Sequence, residues 1–314
     1  MLNKIFFKFY KSIIKIILPI IYKIFISLRV NRRVINYLQE RSYFSNSHHN
    51  FSPIIESLLN SKKLFALDVG AQGGFNSDGF FSRKYNKFFN NILVEPNTSE
   101  ADKLTDSNIV NKGLWSKQEV KKLNILDNRV GSSSIFEPNE ENFDLHDIPL
   151  KDFTKFKVTR TVDIYCETIK KILNEKNIYS LDYLKIDTQG SELEILKGLG
   201  EYKPLLIKIE VHFFSMYKKV PSWNELVNYL YQLDYVLIDL KGIGKHITRI
   251  PAEADMIFIP NFETEAGKKI IRNSYRNFIC LMLIFGQLKL LKNLILRLKL
   301  DFDKIKDFED LYFN

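Results

Sequence analysis

Between residues 54 and 260 the apolar positions gather into short runs, separated by stretches with helical spacing. LFALDVG, ILVEP, the runs at 109–115 and 120–126, VTRTVDIYC, DYLKID, PLLIKIEV, YVLIDL and ADMIFIP all have the length and β-branched or aromatic content of strands. A short helical stretch covers 54–59. Further helices are predicted to start near Ser77 or Asp78, which can cap one, at Thr98 and at Glu167, and to run from Ser191 to Leu199 and from Trp223 to Leu233. Strands alternating with helices imply a mostly parallel sheet covered on both faces. Only Lys241 to Glu253 separates the last two strands, so a hairpin with an antiparallel final strand is expected. Residues 129–157 break the alternation: Gly131, three serines, Pro138 and Pro149 read as a long loop, a length that often serves as a lid or substrate loop. No internal repeat is visible. Residues 261–314 return to helical spacing. There Phe278 to Leu288 carries no charge, a pattern that suits packing on the domain or on a partner and leaves a membrane-surface helix open.

Charge divides the chain unevenly. The net charge is +9, but residues 1–41 hold nine basic side chains against Glu40 alone, a net of +8, which leaves +1 for the remaining 273 residues. A near-neutral body is a poor match for a phosphate backbone, so nucleic acid is not an expected partner. At 100° per residue, Lys4, Lys8, Lys11 and Lys15 fall within about 60° of one another on an otherwise apolar helix. The longest uncharged run there, Ile16 to Tyr22, contains Pro19 and falls well short of the roughly 20 residues a bilayer requires. An amphipathic helix over residues 1–35 lying on an anionic membrane surface is therefore expected, with docking on the protein's own core as the alternative. Lysines interrupt the apolar core of any cleaved signal peptide. Cys166 and Cys280, with no C-x-x-C pair, indicate neither a disulfide framework nor a structural zinc site, and point to a reducing, cytoplasmic compartment, at the inner face of the membrane if the helix binds it. The domain division is thus a basic segment 1–41, a catalytic-type α/β domain 54–260 and a helical tail 261–314.

In open α/β sheets ligands bind outside the carboxyl ends of the strands, and the residues there carry the chemistry. LFALDVG ends in Asp68 and turns through Gly70, Gln72, Gly73 and Gly74; the next strand ends in Glu95, followed by Asn97. A glycine turn followed by a carboxylate at the next strand end suits a nucleoside, whose ribose hydroxyls the carboxylate accepts, but Gly-Ala-Gln-Gly-Gly is not the G-x-G-x-x-G dinucleotide fingerprint. Two further ends are Asp187, opening into Thr188-Gln189-Gly190-Ser191-Glu192, and Glu210-Val211-His212, where alternation places Glu210 and His212 on one side of the strand. The two are close enough to share a proton, with Glu210 orienting His212 or raising its pKa.

LDVGAQGG, VEPN, VNKGLWS, GSSSI, KIDTQGSELEILKG and EVH, in this order from about Leu64 to Pro260, resemble the pattern of FkbM-type methyltransferases. The resemblance implies an α/β, Rossmann-like sheet of seven strands with a reversed last strand, S-adenosyl-L-methionine as methyl donor, and O-methylation, frequently of sugars in bacterial surface polysaccharides. Asp68, Gly70, Gln72, Gly73, Glu95 and Asn97 would then hold the cofactor. Aligning a hydroxyl with an electrophilic methyl group and removing its proton falls to Asp187 or His212, supported by Glu210. This chain has Gln72 where the family commonly shows Asn, Gln189 where it shows Glu, and Glu167 where it shows Asp. The metal question and the oligomeric state stay open. Two other classes remain: a nicotinamide-dependent sugar oxidoreductase, and a non-catalytic membrane-associated partner in glycan assembly.

Overall fold

The computed structural model describes residues 50–106, 108–146, 148–241 and 252–302. The basic segment 1–41, and with it the expected membrane helix, lies outside the described residues, as does most of the connection between the last two strands. Contacts divide the chain into residues 1–50 and 51–314, and the strands and helices described belong to the second unit.

Helix α1 (Ser52–Leu59) leads into β1 (Leu64–Val69), then β2 (Phe89–Val94), α2 (Thr98–Ala101), β3 (Ile109–Val110), β4 (Gly113–Leu114) and β5 (Glu119–Ile125). After the long loop come β6 (Arg160–Glu167), α3 (Ile169–Glu175), β7 (Tyr183–Ile186), α4 (Glu192–Lys197), β8 (Leu206–His212) and α5 (Trp223–Gln232). The chain continues through β9 (Tyr235–Lys241), β10 (Glu253–Pro260), α6 (Glu265–Asn273), α7 (Tyr275–Ile284) and α8 (Leu288–Leu298). Seven strands form one sheet in the order β3-β2-β1-β7-β8-β10-β9. Its first five strands are parallel, and β10 runs antiparallel to both β8 and β9. This is the Rossmann-like sheet of seven strands with a reversed last strand that the resemblance implies, and the strands' continuous apolar runs follow from burial on both faces.

One face is covered by α1 and the C-terminal helices. Ile55, Leu59, Phe81, Phe89 and the unbroken buried run Phe278–Phe285 of α7 and its end share a single core there. The other face is covered by α3, α4 and α5 through Ile169, Leu173, Ile195, Leu226 and Leu230. Helix α5 starts on a reciprocal Ser222–Glu225 capping box, which satisfies two of its free amides.

Three sequence expectations are corrected. No α-helix follows the glycine turn: Gly73, Gly74, Asn76 and Gly79 all adopt positive φ, so the chain winds through successive tight turns before a 3-10 helix at Arg83–Phe88. VTRTVDIYC is a strand, β6, but it belongs to a second, three-stranded sheet (β4-β6-β5), where β5 pairs with it antiparallel. The helix expected from Glu167 begins later, because Glu167 still belongs to β6 and Thr168 caps α3 by accepting from the Lys171 amide. The loop at 129–157 is built of 3-10 turns around its own small core of Phe143, Ile148, Phe156, Met216 and Tyr217.

Candidate active site

Because β1, β2, β7 and β8 are parallel, their carboxyl ends open on the same edge of the sheet. A cavity of about 290 Å³ lies there. Gly70, Gln72, Glu95, Asn97, Asp187 and Gln189 line it, and the second sheet closes it with Leu114, Leu123, Ile164 and Cys166. Val130, Gly131 and Ser133 of the long loop complete the wall. One wall is therefore polar strand ends and the other is apolar.

Gly70 is what lets the two strand ends meet. At φ +77° a Cβ on it would sit 1.8 Å from the Asp187 carbonyl oxygen, so the first turn crosses the end of β7 at a distance that no side chain permits. Beneath this crossing lies Lys185, whose Nζ is 3.0 Å from Asp68 Oδ1, 3.2 Å from the Gly70 carbonyl and 3.7 Å from Asp187 Oδ2. Burial alone would discharge this ammonium, but the carboxylates of Asp68 and Asp187 hold its pKa above the usual lysine value. Asp68 is thus the buried anchor of the turn and does not reach the cavity. Gly73 also lies elsewhere: it borders a separate polar cleft of about 330 Å³ with Arg83, Asn86, Asn91 and Asp106.

At the end of β2, Glu95 is buried and accepts the Asn97 amide at 2.9 Å. Burial, reinforced by the neighbouring Glu100 charge, pushes its carboxyl up to about 7. Asn97 is buried as well: its Oδ1 accepts from Ser99 Oγ at 2.8 Å, while its Nδ2 has no hydrogen-bond partner among the described residues. Gln72 donates to Glu100 Oε2 at 3.0 Å, which aims its side chain across the cavity mouth.

Across the cavity, Gln189 joins the two other strand ends. Its Nε2 donates to Asp187 Oδ1 at 3.0 Å and to Glu210 Oε2 at 2.6 Å. Burial would raise Asp187, but the Lys185 and Lys208 charges hold it below the usual carboxylate range. Glu210, half-buried and facing Asp187, Glu253 and Asp255, is driven well above it. Hence, of the two, Asp187 is the one that gives up its proton first and Glu210 the one that holds it longer.

The expected Glu210–His212 pairing is corrected. The two do lie two residues apart on β8, but Glu210 is taken by Gln189, and the His212 ring packs instead against His146 and Tyr217, with centroids 5.4 and 5.9 Å away. Burial, together with the facing His146, lowers His212 to about 4 against the opposing Asp187 charge, so Glu210 does not raise its pKa and the ring is neutral at pH 7. Its Nε2 is buried with no hydrogen-bond partner among the described residues, and neither His212 nor Glu210 lines the cavity. His146 comes from the long loop, where its Nε2 lies 2.7 Å from the Phe214 carbonyl. No sequence signal placed His146, Lys185 or Tyr217 at the site, since each is brought there by a partner more than 60 residues away in sequence or by burial that spacing does not reveal. Among the described residues no group of three His, Cys, Asp or Glu side chains is arranged to hold a metal ion.

The family model described as the Methyltransferase FkbM domain matches residues 68–237, more than half of the chain. The matched span begins at buried Asp68 and ends in β9, so it takes in all of the strand ends that line the cavity. No curated protein matches the chain.

Proposed function

The chain belongs to the FkbM methyltransferase family, and on that premise we propose that it methylates a hydroxyl group using S-adenosylmethionine. The observation that carries the reading is one cavity with a ribose-type carboxylate, Glu95, at one strand end and an ionised carboxylate, Asp187, at another. The residues present fit the cofactor. Gly70 lets the first turn lie against the end of β7 at the cavity wall, buried Asn97 Nδ2 is a donor without a partner among the described residues, and the Leu114–Leu123–Ile164 wall offers an apolar face for a base. Gly70, Gln72, Glu95 and Asn97 would hold it, with Asp68 fixing the turn from below through Lys185.

When bound, S-adenosylmethionine supplies a sulfonium-activated methyl group, whose transfer leaves the electron pair on sulfur and one proton to be taken from the acceptor oxygen. Asp187 takes that proton: it lines the cavity and stays ionised at neutral pH, which a general base must do. Lys185, beside it, keeps it ionised and fixes its direction. His212, neutral and not part of the cavity lining, acts by packing the long loop against β8 through His146. A carboxylate base contributes about 10² to 10⁴ in rate, so Asp187→Asn is expected to lose that much of kcat with little change in cofactor affinity.

The acceptor we propose is a sugar hydroxyl of a bacterial surface polysaccharide or related glycan, met at a membrane to which the basic segment 1–35 brings the protein. The +8 charge of residues 1–41 supports the second part. No described helix is long and apolar enough to cross a membrane. Isothermal calorimetry of the full chain tests the core of the reading. Binding of S-adenosylmethionine and transfer of one methyl group to a glycan extract, seen by mass spectrometry, are expected; a folded sample that binds reduced nicotinamide nucleotide instead would sink it.

A further inference from the structure

We propose that Gln189 is a positioning residue that holds Asp187 and Glu210 as a pair sharing one proton, and so presents Asp187 ionised to the cavity. The catalytic consequence rests on the methyltransferase reading above, whereas the pairing of the two carboxyl groups rests on the hydrogen bonds that Gln189 makes to both.

Gln189 is held at its carbonyl and at both polar atoms of its side chain. Its backbone adopts φ +61°, a left-handed conformation that residues with a Cβ rarely adopt without support. That support is present: Ser134 Oγ donates to the Gln189 carbonyl at 2.7 Å, and the Glu192 carboxylate gathers the Thr188 and Gly190 amides at 3.0 Å. The side-chain amide has two hydrogens, and both are used, one on Asp187 Oδ1 and one on Glu210 Oε2. Its Oε1 lies 3.1 Å from the Tyr217 hydroxyl, which also reaches the Ser132 carbonyl at 2.7 Å and so ties the amide to the long loop. An acceptor at Oε1 and two donors at Nε2 leave the amide a single orientation.

A neutral amide between two carboxyl groups brings them together without cancelling their repulsion. Two like charges at one buried site do not both persist, so one proton stays with the pair. The surroundings decide where. Asp187 faces the cations, Lys185 at 3.7 Å and Lys208 behind it. Glu210 faces the acids Asp187, Glu253 and Asp255, with Lys208 as a cationic counterweight and the Tyr217 hydroxyl nearby. His212, also facing Asp187, is uncharged at neutral pH. The proton therefore stays on Glu210 and the charge on Asp187, on the side that lines the cavity.

The test combines two substitutions with one measurement that needs no activity. Q189M keeps the size of the side chain and removes both donors; Q189E puts a third carboxylate between the other two. With each variant's fold checked by its thermal melt, the acidic limb of the kcat–pH profile is expected to move upward in the order wild type, Q189M, Q189E. kcat at pH 7 should fall about tenfold or more while the cofactor Kd changes less than about threefold. A purely structural role would not move the limb. Titration of ¹³C-labelled carboxyl groups in the wild-type full chain, assigned with D187N and E210Q, should show Asp187 ionised and Glu210 protonated at pH 7. Two ionised carboxylates at pH 7, or a Q189M variant with the wild-type limb and kcat, would overturn the proposal. If the wild type transfers no methyl group, the functional reading falls, and the carboxyl titration alone decides the pairing.

Discussion

Replacing Glu95 by Gln should stabilise the cofactor-free protein and weaken its hold on the cofactor, and both effects follow from one number. Glu95 is buried, and its carboxyl stands at about 7 in the folded chain against 4.5 for an ordinary glutamate. Its folded-state pKa is raised, so between those two values the unfolded chain has already released the proton that the folded chain keeps. Stability is therefore highest below the unfolded value and is lost as pH rises through 4.5 to about 7. At about 1.4 kcal/mol for each pH unit of the interval, the full cost above pH 7 is about 3 kcal/mol. Glu95→Gln does not ionise and escapes that cost. It should match the wild type near pH 4 and exceed it at pH 8 by up to about 3 kcal/mol, several degrees in Tm for a domain of this size. Urea denaturation of both proteins at the two pH values measures it. An equal difference at pH 4 and pH 8 would refute the argument, because a packing effect of the amide does not titrate.

The cofactor side carries the opposite sign. A carboxylate accepting ribose hydroxyls makes charge-assisted bonds worth about 1.5–3 kcal/mol, so the same variant should bind S-adenosylmethionine about 10- to 100-fold more weakly. In the wild type, affinity should fall about tenfold for each pH unit below 7, as the carboxyl takes up its proton. Calorimetry across pH 5.5 to 8 reads this directly, and a flat profile would detach Glu95 from the cofactor.

Gly70→Ala places a Cβ 1.8 Å from the Asp187 carbonyl oxygen at φ +77° and should cost about 3 kcal/mol or more by chemical denaturation; a loss below about 1 kcal/mol would mean that the crossing of the two strand ends relaxes freely. Lys208→Met removes a buried ammonium that pairs with Asp78 at 2.6 Å and Asp255 at 2.9 Å. It should cost about 2–3 kcal/mol at pH 7 and less at lower pH, since without the lysine that holds it low Asp78 is left to the burial that raises it and can take up a proton, and, being partly exposed, can rehydrate. Deleting residues 1–35 should release the protein from anionic vesicles in co-sedimentation at low salt and leave neutral vesicles unaffected; undiminished binding would place the membrane contact elsewhere.

Much of the architecture was legible because burial on both faces of a parallel sheet writes itself into the chain as unbroken apolar runs, and because a hairpin needs no helix between its strands. What period alone does not carry is sheet membership. β6 alternates like any strand, yet it pairs with β5 and β4, and nothing in its own period separates it from the strands of the larger sheet. The missing helix after Gly70 has a local cause: four residues at positive φ between Gly73 and Gly79 cannot propagate an α-helix, although only three of them are glycine. The site divides the same way. Gly70, Gln72, Glu95, Asn97 and Asp187 line one cavity because each follows a parallel strand, a rule that needs no long-range information. Glu210 and His212 obey the same alternation, but a strand's period says which side a residue faces and not what stands opposite. Gln189 reaches Glu210 from the neighbouring strand end, and His146 reaches His212 from a loop closed by bonds to Phe214, Ser215 and Tyr217. The acid–base partners of this site are therefore set by the turn after β7 and by the long loop, and it is at Gln189, where those two meet, that a single substitution should move the chemistry without moving the cofactor.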